Sequence, residues 1–203
     1  AAALAQAYDI PSQPEMGGSD QPKARGKKGP SPEGRIAEFA AQQLSGAARI
    51  ASFSINGWDT HDRQEVAVTR ALAKLSEVIL TLRDGLSGPV WQQTAVIAMT
   101  EFGRTVRLNG TGGTDHGTGG AMILAGGAIR GGQVVADWPG LTEADLYARR
   151  DLMPTRDLRA HAGWIIQGLF GLDRGGTSTS PWVFVKATCS ISCTKKSTLM
   201  VSL

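Results

Sequence analysis

The run Thr94 to Thr100, TAVIAMT, does most to narrow what this chain can fold into. It is short, almost wholly apolar and rich in β-branched residues, which suits a strand buried on both faces with helices above and below it. Glu101 follows at once. A loop then carries Gly110, Gly112, Gly113, Gly117, Gly119 and Gly120 around an Asp115-His116 pair, and the glycines let the backbone turn tightly there. In open α/β sheets ligands bind outside the carboxyl ends of the strands, so a carboxylate that ends a buried strand stands where a site forms. The expected fold is α/β, with a mostly parallel sheet and helices on both faces.

The rest of the chain supplies elements for such a sheet. Ser31-Pro32-Glu33 reads as a helix start, with Ser31 as N-cap and Pro32 in the first turn, and with Ile36, Phe39, Ala40, Gln43 and Leu44 as its mostly apolar face. Arg49 to Ile55 is a strand candidate whose sequel, Asn56 to His61, carries Asp59 and His61 just past its carboxyl end. Asp62 and Glu65 have capping-box spacing. Behind them Val68, Leu72, Leu75, Ile79, Leu82 and Leu86 recur at helical steps, and Arg70, Lys74, Glu77 and Asp84 form the polar face. Ala121 to Ala125 is a further short strand. Strand, helix, strand predicts a right-handed crossover between parallel strands. Asp115 and His116 precede their strand, so they reach the rim of Asp59, His61 and Glu101 only if that strand runs antiparallel or the loop folds back. Gly126 to Pro139 reads as turns or a hairpin. Pro154 to Asp157 opens a last helix with Leu158, Ala162, Ile165, Ile166 and Leu169 on its apolar side.

At 203 residues, 41% of them hydrophobic, one main domain at 31–184 is expected after an extended linker at 1–30 and before a divergent tail at 185–203. The chain opens on Ala with no charged segment ahead of an apolar one, as a processed product or a fragment does. Nothing in it indicates a compartment. No apolar run approaches the ~20 residues that span a bilayer. The net charge of +3 owes much to Lys23, Arg25, Lys27 and Lys28, but no aromatic residues are interleaved with them. A solvated linker is therefore preferred to a nucleic-acid contact. Cys189 and Cys193, the only cysteines, exclude a disulfide framework for the body of the chain.

The candidate chemistry rests on the histidines. His61 and His116 each stand near an aspartate in a polar, glycine-rich turn, while His161 falls in the last helix as a packing residue. Imidazole with carboxylate oxygen suits a divalent metal, zinc first, with manganese or iron also compatible. The expected ligands are Asp59, His61, Asp115 and His116, with Glu101 as a fifth ligand or a supporting carboxylate. Glu101 and Arg104 are the candidate catalytic residues. Arg104 can clamp an anionic group or equally pair with Glu101. The same Asp and His residues also suit plain turn and cap roles. Trp58 is expected to pack beside its turn. A G-x-S-x-G elbow, a phosphate-binding P-loop, H-E-x-x-H and G-x-G-x-x-G are all missing.

GWDTH at Gly57 to His61, TEFGRT at Thr100 to Thr105, GTDHG at Gly113 to Gly117 and GGAIRGGQV at Gly126 to Val134 resemble the bacterial domain-of-unknown-function 1501 family. The resemblance covers about Glu33 to Val183. That family is grouped with alkaline phosphatases and sulfatases, so the resemblance implies an alkaline-phosphatase-like fold and a substrate that is an anionic small-molecule or glycan ester. It also implies two metal ions that activate a Ser or Thr nucleophile. Asp59 and His61 resemble an Asp and His pair of one metal site, and His116 resembles the last histidine ligand. Glu101-Phe102 stands where the superfamily has Asp-His, which removes a nitrogen ligand. The superfamily's first Asp ligand and its nucleophile find no counterpart, so the chain resembles the carboxy-terminal part of a longer fold, incomplete at its amino terminus. The tail after Phe184 departs from the family's ending. The resemblance implies a metal-dependent hydrolase, inactive as it stands for want of the nucleophile, or a noncatalytic structural or surface-binding module that keeps the fold. Export from the cell is suggested by the resemblance alone.

Overall fold

A computed structural model describes residues 29–172 and the backbone of residues 197–202. Helix α1 (Pro32–Leu44) starts as its sequence predicts, with the Ser31 hydroxyl accepting from the Gly34 amide at 3.0 Å. Its buried face differs from the expected one. Ala37, Ala40, Ala41 and Leu44 are inside, whereas Gln43, Ile36 and Phe39 are exposed, the last by 62%. The reason is close packing. Strand β1 (Ile50–Ile55) leads toward helix α2 (Gln64–Gly85), which α1 crosses so tightly that a β-carbon on Gly85 would lie 2.9 Å from that of Ala41. Small residues allow that approach and large ones are turned out. Two residues of the expected polar face of α2 are used in the same contact. Lys74 pairs with Glu33 at 2.7 Å, and Glu77 accepts the Ser31 amide at 3.0 Å.

The body of α2 matches its periodicity, with Leu75, Val78 and Leu82 buried, although Leu72 is exposed. Its start does not use the Asp62 and Glu65 capping box. Arg63 occupies the N-cap position in a left-handed conformation (φ 38°) without a side-chain cap. Instead the amides of Arg63 and Gln64 donate to the carbonyls of Thr111 and Gly112, at 3.1 and 2.9 Å. The glycine loop therefore caps two amides at the start of the helix with its own backbone.

After the short helix α3 (Gly88–Gln92) comes β2 (Ala95–Met99), which is buried on both faces as expected. Val96 packs into the layer of α1 and α2. Ile97 packs on the opposite side against Ala162 and Ile166 of α4 (Leu158–Phe170), a helix capped by the Asp157 carboxylate. Between them lie β3 (Gly103–Arg104), β4 (His116–Gly117) and β5 (Met122–Ala125). Residues 126–139 form turns without a strand. The backbone of β6 (Ser197–Ser202), in the tail that had no legible pattern, completes a four-stranded sheet in the order β1-β6-β2-β5.

The mixed helix and strand content agrees with expectation, and the parallel sheet does not. Every strand pair among the described residues is antiparallel. The glycine loop turns the chain back on itself, so β5 runs against β2. Strand β6 occupies the place where β1 and β2 would have paired through a crossover. Those two still point the same way, because each runs against β6. Ile55 is opposite Ser197, Met99 is opposite Thr198, and Met122 is opposite Met99. The ends of β1 and β2 and the start of β5 thus share one rim. This is the antiparallel arrangement that lets Asp115 and His116 reach it. Among the described residues no helix is long and apolar enough to cross a membrane. Lys23, Arg25, Lys27, Lys28, Cys189 and Cys193 lie outside the described residues.

Candidate metal centre

The loop after β1 and the loop before β5 are clamped together before any site residue is considered. The Thr114 amide donates to the Thr60 carbonyl at 3.3 Å, and the hydroxyls of Thr60 and Thr114 both donate to Gln64 Oε1, at 2.9 and 2.7 Å. Asn109 ties the same loops from the other end. Its Nδ2 donates to the His61 carbonyl at 2.9 Å and to Asp115 Oδ1 at 3.1 Å, and its Oδ1 accepts from the amides of Thr111 and Gly113, both at 3.0 Å. Gly113 runs so close to the loop after β1 that a β-carbon there would overlap the His61 carbonyl. Only glycine permits that crossing.

The clamp brings three of the expected ligands together. Nε2 of His61 and Nε2 of His116 each lie 2.8 Å from Asp59 Oδ1, and one ligand atom from each of the three residues falls within 4.8 Å of the others. Asp59 is mostly covered, with its side chain 11% exposed, while both histidines open to solvent. The donor set fits a divalent ion. Two imidazoles and one carboxylate, open on one side, are the ligand types of zinc, manganese and iron sites. Ligands of a tetrahedral zinc stand ~3.3 Å apart, so at 2.8 Å these groups are in mutual hydrogen-bond contact. A divalent ion bound there would replace these contacts, with the Arg104 guanidinium 3.7 Å from the same carboxylate oxygen.

Asp115 takes a supporting position. It lies 3.4 Å from His61 Nδ1, a longer contact than the 2.8 Å one between His61 Nε2 and Asp59. The hydrogen bond from Asn109, and then that from His61, hold its carboxyl below the usual range, so it stays anionic. Asp115 and Glu101 are not among the three converging residues. Glu101 is exposed and lines a cleft with Gly117, Thr118 and Leu158. Arg104 directs its guanidinium at two backbone carbonyls. It donates to the carbonyls of Thr114, at 2.8 Å, and Trp58, which anchors the turn that carries Asp59. Burial pulls its guanidinium down from the ordinary value, and Asp59 and Asp115 oppose that.

Sequence reasoning missed two residues. Phe102 stacks on His116, with ring centroids 4.0 Å apart and planes 11° from parallel, and so fixes that imidazole. Asn109 joins both ligand loops. Its only signal in the sequence is the Asn-Gly dipeptide of a turn. His161 lies on α4 and is not part of the cluster.

A mixed α/β chain with a two-histidine, one-carboxylate cluster at a sheet rim is therefore the class that fold and site define. The family model described as a protein of unknown function, DUF1501, matches residues 4–177, and the chain belongs to that family. No curated protein and no solved structure matches it.

Proposed function

We propose that the chain is the metal-binding part of a metal-dependent hydrolase that acts on phosphate or sulfate esters of small molecules or glycans. The observation that supports this is the convergence of Asp59, His61 and His116 from two separate loops. The resemblance to alkaline-phosphatase-like proteins supplies the reaction class. A divalent ion held there would act as a Lewis acid on an ester oxygen. Asp59 and the two imidazoles hold the ion, Asp115 and Asn109 orient His61, and Phe102 orients His116. Arg104 fixes the turn of Asp59 and adds positive charge beside it. Zinc is the first choice by donor type, with manganese and iron next.

One observation favours a noncatalytic module instead. Arg104, the side chain best suited to an anionic group, already donates to two backbone carbonyls. Hydrolysis of 4-nitrophenyl phosphate and 4-nitrophenyl sulfate by a zinc-loaded longer protein, in which this chain is joined to a nucleophile-bearing segment, separates the readings. Turnover that is lost in His116→Ala supports the hydrolase. Zinc binding without turnover of either ester supports the module.

A further inference from the structure

Beside the cluster lies a cavity of about 390 Å³, near the lower end of the ~300–1,000 Å³ usual for small-molecule sites. Its floor is apolar, with Ile55 and Ala98 from the sheet and Val68 and Leu75 from α2. The aromatic residues Trp58, Phe102 and Trp138 line it as well. Among the described residues its lining is mostly apolar, with Arg104, Gln64, Thr60 and Thr100 as the polar exceptions, which suits a largely uncharged occupant.

Three features connect the cavity to the cluster. Trp58 directly precedes Asp59, Phe102 stacks on His116, and the Arg104 guanidinium stands 3.7 Å from Asp59, and all three residues line the cavity. A second, independent observation concerns one of these three residues. Trp58 Nε1 is buried without a hydrogen-bond partner among the described residues. Buried donors are almost always satisfied, so an orphan one marks a place where an acceptor is wanted. Asp137, next to Trp138 of the lining, is gripped by Arg156, with Nη2 at 2.6 Å from its Oδ1.

We infer that this cavity binds the apolar, aromatic-sized part of a ligand whose anionic group reaches the cluster, and that a small turn of the Trp58 indole gives that ligand a hydrogen bond. The inference rests on the ester reading above and adds a substrate class to it: esters of aryl or similarly bulky apolar alcohols, rather than of small polar ones.

Calorimetric titration of the 203-residue chain with 1-naphthol, inorganic phosphate and 1-naphthyl phosphate, zinc-loaded and chelator-treated, tests it. The expected result is that 1-naphthol binds with or without zinc. On the loaded protein 1-naphthyl phosphate should bind at least about tenfold more tightly than phosphate, the gain from burying a ring system. Ala98→Phe, which fills the cavity, should remove naphthol binding while zinc still binds. Trp138→Ala, at an exposed position, should weaken it several-fold. Failure of 1-naphthol to bind the folded protein, or binding that neither variant alters, overturns the cavity assignment. Naphthol binding that responds to both variants, beside phosphate binding indifferent to zinc, upholds the cavity and overturns the ester reading instead.

Discussion

Replacing Asn109 by alanine removes a side chain that bonds to both ligand loops, and the structure sets how much that should cost. Five hydrogen bonds are lost: two donated to the His61 carbonyl and Asp115, and three accepted from the Thr111 amide, the Thr111 hydroxyl and the Gly113 amide. Water replaces some of them readily, since Asp115 and Thr111 are exposed. The His61 carbonyl keeps a second donor in the Thr111 hydroxyl at 2.7 Å. Gly113 is buried, so its amide is left without an acceptor at a penalty of ~1–3 kcal/mol, and the bond to the His61 carbonyl adds ~0.5–1.5 kcal/mol. A loss of roughly 1.5–4.5 kcal/mol in chelator-treated protein follows, measurable as a lower urea midpoint at unchanged slope. Zinc affinity should fall by ~10–100-fold as well, because the residue orients His61 and Asp115. Competition with a chromophoric chelator measures that directly. Unchanged zinc affinity in a destabilised Asn109→Ala protein would refute the idea that this clamp places the ligands.

Two further outcomes follow from the same geometry. Gly113→Ala should disrupt the crossing of the loops, since its methyl group overlaps the His61 backbone rather than a side chain that can move, so zinc binding should be lost even where circular dichroism shows helices retained. The Lys74 hydrogen bond holds the Glu33 carboxyl below its ordinary value, so the pair stabilises the fold above the unfolded-state pKa of ~4.3 and that contribution fades as pH falls through the lower, folded value. Glu33→Gln should therefore lower stability at pH 7 by under ~1 kcal/mol and flatten its decline on acidification, as denaturant titrations from pH 7 to 3 would show.

How much of this was legible in the sequence varied with the distance over which each feature is decided. The double burial of β2, the stripe of α2 and the cap of α4 are local, and periodicity with end signals sufficed for each. The approach of Asp59, His61 and His116 was legible because strand ends and glycines restrict where a loop goes. The sheet's direction was not, because it depends on the return of β5 and on β6, whose sequence has no distinguishing pattern. Hydrophobicity misassigned the inner face of α1, where Ala37 and Ala41 win over Ile36 and Phe39 because α2 comes too close for larger groups. The capping box at Asp62 was displaced by another distant feature: the carbonyls of Thr111 and Gly112 arrive from far along the chain and take the amides of Arg63 and Gln64, with Arg63 rather than Asp62 at the N-cap.

The convergence of Asp59, His61 and His116 on one divalent ion is tested most directly by metal content. The purified chain, dialysed against a weak chelator after exposure to zinc, manganese and iron separately, would be analysed by elemental mass spectrometry beside Asp59→Ala and His116→Ala. Close to one equivalent of one of these metals in the wild type, lost in both variants, is the predicted result. A folded wild-type chain that retains no metal, or variants that retain as much as it does, would contradict the assignment and leave these residues as the fastening of two loops.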